Sequence, residues 1–388
     1  MKTTSLFYCN VVCPICNTDN KFEVIRKGAY SVSELDTDFM PLGIKWTDSR
    51  FEGINPLLYF IATCPVCSYS TELNDKFKEW QKDNHFRNYR LGPLKEKHHE
   101  ILGNENGVIK KIVAVLDPRA YPNETAVCKL ILAVLDESLG AHPSHLTLAR
   151  YYLRLGWLLR DLKCEKPSQE EGKLVELIKM LEDHLQLINK DITNLCQSTK
   201  ALASFYHQNA NELFSSSLNQ YFELLNNILA STADAREQIS RLKTLNMGLL
   251  TDRSEGKSAR PMYFKSYHDF GTFLQAIQNI MPNAPTNEIE SLKLSKDFYK
   301  QSLDIGRELK DGPQSFQAFY LIGELAYRIG DYNEAIIYFN STINKGRVFI
   351  NDRNNSDCEI AKVKPIVDRA LFQARKVMEK EKSAQPVA

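Results

Sequence analysis

The side chains best suited to chemistry are cysteines, and their spacing says more than their number. Five of the nine cysteines fall within the first 67 residues. Four of them form a pair of C-P-x-C knuckles, Cys13-Pro14-Ile15-Cys16 and Cys64-Pro65-Val66-Cys67. Each knuckle puts two thiolates on one tight turn, where backbone N–H groups can point at sulfur and hold its charge. Cys13, Cys16, Cys64 and Cys67 together supply the closed tetrahedral shell that structural zinc prefers. Iron in a rubredoxin-type centre is the minor alternative, since ligand softness does not separate the two metals. A redox dithiol fits poorly, because the motif occurs twice and no βαβ pattern follows it. Cys9 precedes Cys13 at a spacing that would let it replace a ligand. Four thiolates leave neither an open coordination position nor a general base, so the expected role is to stabilise a fold.

These knuckles need elements to hold them. The position after the second cysteine favours a left-handed backbone and is commonly glycine. It is Asn17 in one knuckle and Ser68 in the other; Asn tolerates that conformation better than Ser does. Phe22–Ile25 and Leu57–Thr63 read as strands, with Gly53-Ile54-Asn55-Pro56 as a turn before the second. Residues 17–63 must therefore fold as an insert between the two metal-binding turns.

The order C-P-x-C, Asp36-Thr37-Asp38-Phe39, Gly53-Ile54-Asn55-Pro56-Leu57-Leu58-Tyr59 and C-P-x-C-x-Tyr69 resembles the bacterial family catalogued as domain of unknown function 2225. The resemblance is carried by residues 1–75 and resumes in the helical parts. It implies a two-knuckle metal-binding head, then helices resembling tetratricopeptide repeats, and a scaffold role. It implies no reaction.

Composition narrows the field. With 49 Lys+Arg against 48 Asp+Glu, there is no global basic excess to favour nucleic acid or a membrane surface. Gly and Pro are scarce, at 17 and 15 in 388 residues, which favours helices over a turn-rich β fold. The apolar run Leu6-Phe7-Tyr8 is too short for a signal peptide, and no stretch approaches a membrane span. Tyr8 before Cys9 also lacks the small residue of a lipoprotein box. The expectation is a cytoplasmic protein, whose reducing surroundings leave clustered thiols available to metal.

Beyond Ser70 the pattern is helical. Asp75–Glu100 interleaves Lys76, Lys78, Lys82, Arg87 and Arg90 with Phe77, Trp80, Phe86 and Tyr89. It reads as one amphipathic stretch whose aromatics dock on the head, with a nucleic-acid surface as the alternative. Within it, His98 and His99 leave a helix in different directions and read as surface. Ile109–Leu116 and Ala126–Leu139 are further apolar-periodic runs. Tyr152-x2-Leu155-Gly156 and Phe319-x2-Ile322-Gly323-x2-Ala326, the latter followed by Gly330, Ala335 and Phe339, match the tetratricopeptide pattern. Gly there lets two helices cross closely, and Tyr152, Leu155, Gly156, Phe319, Gly323, Tyr327 and Phe339 are the expected framework positions. Pro365–Lys382 reads as a closing helix using Ile366, Ala370, Phe372 and Val377.

Between the two repeat-like copies, Glu171 to Leu250 carries leucine-rich helical periodicity and offers a surface for self-association. His184, Cys196 and His207 in it read as packing or surface residues. Glu255-Gly256-Lys257-Ser258 lacks the upstream glycine and strand of a phosphate loop, so no nucleotide site is expected.

The resulting expectation is a mainly α protein. A small zinc-ribbon-like β head (1–75) precedes a tetratricopeptide-like helical-repeat body (76–165 and 261–388) with a helical insert and linker (166–260). Its expected function is non-catalytic: a zinc-binding scaffold whose helical surface takes a protein or peptide partner. Nucleic-acid binding through the ribbon and the adjacent basic helix is the second reading. His142 and His145 are the residues an enzymatic site would use.

Overall fold

The computed structural model describes residues 5–164, 264–304, 308–309 and 312–384, with 184–195, 197–198, 220–221, 223–228, 230–235 and 237. Residues 1–164 and 263–388 form one compact unit, and residues 165–262 a second. In the second unit the described residues are helical. His184 is exposed there; Cys196, His207 and the Glu255–Ser258 stretch lie outside the described residues.

The first unit is mostly helical, with a small antiparallel strand head that carries the cysteines. Three two-stranded hairpins build the head: β1 (Leu6–Val12) with β2 (Asp19–Ile25), β3 (Tyr30–Leu35) with β4 (Pro41–Trp46), and β5 (Ile61–Thr63) with β6 (Ser70–Glu72). Each knuckle is the loop of a hairpin, since Val12 pairs with Asp19 and Thr63 with Ser70 across the turn. The expected strand at Phe22–Ile25 lies within β2. The expected strand at Leu57–Thr63 is only half right. Asn55 accepts the Leu57 N–H at 3.0 Å and Pro56 occupies the first helical position, so Pro56–Tyr59 forms a 3-10 turn. Extended backbone begins only at Ile61.

The Asp75–Glu100 stretch is also broken. α1 (Asp75–Lys78) gives way to a 3-10 turn at Trp80–Lys82 and a π turn at Phe86–Arg90, and only then comes α2 (Leu91–Leu102). Pro93 has no N–H to return to the Tyr89 carbonyl, so the regular ladder cannot run through this point. The wider π turn closes instead from the Leu91 N–H to the Phe86 carbonyl.

The body continues with α3 (Val108–Val113), α4 (Pro122–Leu139) and α5 (His145–Cys164), then α6 (Phe270–Gln278), α7 (Glu288–Asp304), α8 (Pro313–Ile329), α9 (Tyr332–Asn351) and α10 (Asp357–Ala384). α4 packs on α5, α5 on α7, α7 on α8, α8 on α9 and α9 on α10. Two glycines permit the close crossings. A Cβ on Gly156 would stand 2.7 Å from Leu292 Cδ2, and one on Gly323 would stand 2.8 Å from Phe339 Cδ1. Gly330, at φ +92°, ends α8, and Asp331 caps α9 by accepting the Glu334 N–H at 3.1 Å.

α10 starts at Asp357, eight residues before the expected Pro365, because Ser356 and Glu359 form a reciprocal cap. Within α10, Ala370 and Val377 are buried but Phe372 is 63% exposed. Phe339 is fully buried, whereas Phe319 is half-buried beneath the Lys345 ammonium, 4.1 Å from its ring centre.

Candidate metal centre

The two hairpin loops meet sulfur to sulfur. Cys13 Sγ is 3.5 Å from Cys67 Sγ, and Cys16 Sγ is 3.6 Å from Cys64 Sγ. All four ligand atoms lie within 4.8 Å of one another. A tetrahedron with metal–sulfur bonds of about 2.3 Å has edges of about 3.8 Å, so the spacing suits one ion held by four sulfurs. Cys9 does not join the group: it lies on β1 opposite Phe22, and its thiol faces the Asn10 carbonyl at 3.9 Å.

Local backbone geometry makes this convergence possible. The Cys13 N–H donates to the Thr18 carbonyl, and Cys64 N–H to the Tyr69 carbonyl, both at 2.9 Å. Within each loop the residue after the second cysteine returns its N–H to the first: Asn17 to Cys13 at 2.9 Å, Ser68 to Cys64 at 2.8 Å. Asn17 and Ser68 take φ of +58° and +68°, the left-handed turn that the sequence calls for without a glycine.

The site is enclosed. Val11, Ile15, Ala62, Tyr69, Phe77 and Leu94 form a buried core with Cys13, Cys64 and Cys67. Asn20 Nδ2 donates to Cys64 Sγ at 3.5 Å, and Thr18 Oγ1 lies 3.3 Å from Cys16 Sγ. The four sulfurs differ in how readily they give up a proton. Cys13 is pushed up to about 12, chiefly by its bond to Cys64, while Cys64 is drawn down as the thiolate accepting from Cys13 and Cys67. Cys13, Cys16, Cys64 and Cys67 would hold a divalent cation as four thiolates, and its charge would remove this conflict.

His98 corrects the sequence expectation. It is fully buried, and only His99 faces solvent. Its Nε2 lies 2.9 Å from the Cys67 carbonyl and its Nδ1 2.6 Å from Asp136 Oδ1. Asp136 on α4 also accepts the Ser70 N–H, through Oδ2 at 2.7 Å. Burial disfavours the His98 cation, but the Asp136 carboxylate outweighs this and raises its pKa. The Cys67 carbonyl can only accept, so Nε2 donates to it, and the Asp136 contact at Nδ1 completes a tie from the second knuckle through α2 to α4.

A second buried cluster joins head and body. The Asp36–Phe39 turn between β3 and β4 carries Asp38, which is fully buried. Arg160 on α5 reaches Asp38 Oδ2 at 2.5 Å, Asp36 Oδ2 at 2.8 Å and Glu288 Oε1 at 2.7 Å. Arg328 on α8 adds Asp36 Oδ2 at 2.9 Å and Glu324 Oε1 at 2.8 Å. Tyr320 OH donates to the Thr37 carbonyl at 2.8 Å, and Phe39 holds φ at +64° to put its ring edge-on to Tyr320. Sequence reading singled out this acidic turn only as a motif; its partners lie far along the chain.

The aromatics of the Asp75–Arg90 region turn largely inward. Phe77 is buried in the cysteine core, and Trp80 Nε1 donates to the Val12 carbonyl at 2.7 Å. Phe86 packs against Trp80, and Tyr89 is the exposed member of the set at 69%. His145 stacks on Phe298, with ring centroids 6.0 Å apart, while His142 is exposed.

Fold and site together define a protein with a four-cysteine centre in a hairpin head on a helical body. By sequence, residues 6–220 and 270–356 match the family described as an uncharacterized protein conserved in bacteria, domain of unknown function 2225. The chain belongs to that family. No curated protein and no solved structure matches it. No described helix is long and apolar enough to cross a membrane.

Proposed function

We propose that this chain is a non-catalytic, zinc-stabilised scaffold of the cytoplasm whose helical-repeat surface binds a protein or peptide partner. The observation that carries the metal half is the convergence of the four sulfurs from two separate hairpin loops. Four thiolates fill the shell of one tetrahedral ion, leave no position for substrate, and cross-link residues 13–16 to 64–67 within a small core. Zinc is the ion assigned; iron on the same sulfurs is the alternative.

The scaffold half is supported by the stacked helix pairs of the body. The small residues Gly323 and Ala335 meet beside the buried Phe339 ring, as the repeat reading requires. The inward aromatics of the Asp75–Arg90 region favour a protein partner over a nucleic acid, since base stacking needs exposed rings.

The test is elemental analysis and visible absorption of the intact protein and of its Cys13→Ser and Cys67→Ser variants. One zinc per chain, lost in both variants together with ordered head structure, is the expected result. Iron absorption would replace the ion, and full zinc retention in both variants would sink the site. Affinity capture with the same intact protein tests the partner half.

A further inference from the structure

The buried cluster that joins head and body does not balance its charge. Asp36 and Asp38 on the β3–β4 turn, Glu288 on α7 and Glu324 on α8 bring four carboxylates together. Among the described residues, the cations paired with them are Arg160 on α5 and Arg328 on α8. The charged groups of the other packed helices are engaged elsewhere. On α9, Glu334 pairs with Lys296 and Lys300 of α7. On α10, Arg369 lies over the Phe39 ring, 4.9 Å from its centre, and Asp368 is exposed. Tyr320, one turn before Glu324, is held neutral by burial, which raises its pKa.

Glu324 is the member least able to carry a charge. Asp36 and Glu288 reach solvent in part, and Asp38, though fully buried, faces Arg160 Nη2 at 2.5 Å. Glu324 is fully buried and shares Arg328 with both aspartates. Its Oε1 accepts from the Thr37 hydroxyl at 2.5 Å and from Arg328 Nε at 2.8 Å. Its Oε2 is enclosed without a hydrogen-bond partner. A charged oxygen left alone in such a site costs far more than a neutral hydroxyl there. Burial accordingly raises the Glu324 carboxyl above the ordinary range, against the pull of Thr37 and Arg328.

We propose that Glu324 Oε2 carries a proton in the folded protein, and that this proton latches the Asp36–Phe39 turn onto the helices. With the proton in place, three carboxylates face two guanidiniums. Its loss adds a fourth negative charge beside Asp36 and Asp38, and the turn loosens. Between the ordinary Glu pKa and the raised folded value, the folded chain keeps a proton that the unfolded chain has lost. Glu324 therefore supports the closed turn at low pH and opposes it increasingly as pH rises through that window.

The experiment is amide hydrogen exchange on the intact protein across pH, corrected for the intrinsic rate. It is read at the Phe39 N–H, which donates to the Asp36 carbonyl at 3.0 Å, and the Asp36 N–H, which donates to the Met40 carbonyl at 2.8 Å. Opening of these amides should increase by up to about tenfold per pH unit within the window. In Glu324→Gln the increase should vanish, and urea melts at neutral pH should find the variant at least as stable as its parent. Infrared difference spectra of the pair should show a protonated carboxyl at a pH where free glutamate is ionised. An ionised Glu324 paired to Arg328 gives the opposite: a variant less stable at neutral pH, and no such band. Either result overturns the proposal, as does an unchanged pH dependence in the variant. If Glu324→Gln does not fold, Asp36→Asn keeps the test valid. Removing that neighbouring charge should shrink the pH-dependent opening, and opening of undiminished size overturns the latch.

Discussion

Arg160→Met tests whether the buried ion cluster, rather than apolar packing alone, fastens the head to the helices. Arg160 is 15% exposed and meets three carboxylates, at 2.5 Å for Asp38, 2.8 Å for Asp36 and 2.7 Å for Glu288. Each such contact is worth at most about 7 kcal/mol at an effective dielectric of about 20, before desolvation is subtracted. The usual net loss on removing one partner of a buried pair is about 3–5 kcal/mol, because the charge left behind is uncompensated. Asp38 is the group left worst off, being fully buried with Arg328 Nε, at 3.7 Å, as its remaining ion-pair partner. Urea and thermal denaturation of Arg160→Met should therefore show that loss, a fall of about 10 °C in melting temperature. The double variant with Asp38→Asn should recover much of it, since both members of the pair are then neutral. A loss under about 1 kcal/mol, or strict additivity of the two substitutions, would refute the reasoning.

Three other substitutions probe separate parts of the fold. Gly323→Ala brings a methyl to 2.8 Å from the buried Phe339 ring and should cost about 1–3 kcal/mol, measured by urea melts; adding Phe339→Leu should return part of it. His98→Ala strands the Asp136 carboxylate and the Cys67 carbonyl, so it should destabilise by about 3 kcal/mol and release metal at lower chelator concentration. Unchanged chelator sensitivity would separate His98 from the centre. Burial draws the Lys129 pKa down from 10.5 to about 8, where its ammonium donates to the Leu58 carbonyl at 2.8 Å. Between those values the unfolded chain binds the proton that the folded chain has lost, so this residue's contribution to stability rises with pH from 8 to 10.5. The full charging penalty, about 3 kcal/mol, is present below pH 8, and a Lys129→Met variant should lose that pH slope.

The convergence of the four cysteines was legible in the sequence because its information is local. Two C-P-x-C turns define the sulfur donors, and the left-handed positions at Asn17 and Ser68 follow from knuckle geometry. The Gly330-Asp331 turn is equally local, a helix stop followed by a helix cap. Other features failed where a nearby signal was overridden. The apolar run at Leu57–Phe60 looks extended, yet the Asn55-Pro56 cap wins and winds it into a 3-10 turn. The start of α10 was written in Ser356 and Glu359, but Pro365 drew the boundary inward. His98 could not be assigned from its own neighbourhood. A His-His pair in a helix sends one ring inward, and which one depends on where α4 places Asp136. The Asp36–Phe39 turn is the extreme case, since its role depends on Arg160 and Arg328 from distant helices.

The near-neutral formal charge of +1 also conceals how that charge is distributed. Four thiolates around one divalent ion would take the total to −1, so the loaded protein has less global attraction for a polyanion than the bare sequence suggests. Arg160 and Arg328 are already occupied by buried carboxylates and offer nothing to a partner. In the Asp75–Arg90 region, Lys78 and Lys82 are paired to Asp75 and Glu79 on the surface. Cations that could have met phosphate are thus already committed to the chain's own carboxylates, which is the physical ground for preferring a protein over a nucleic acid as the partner proposed above.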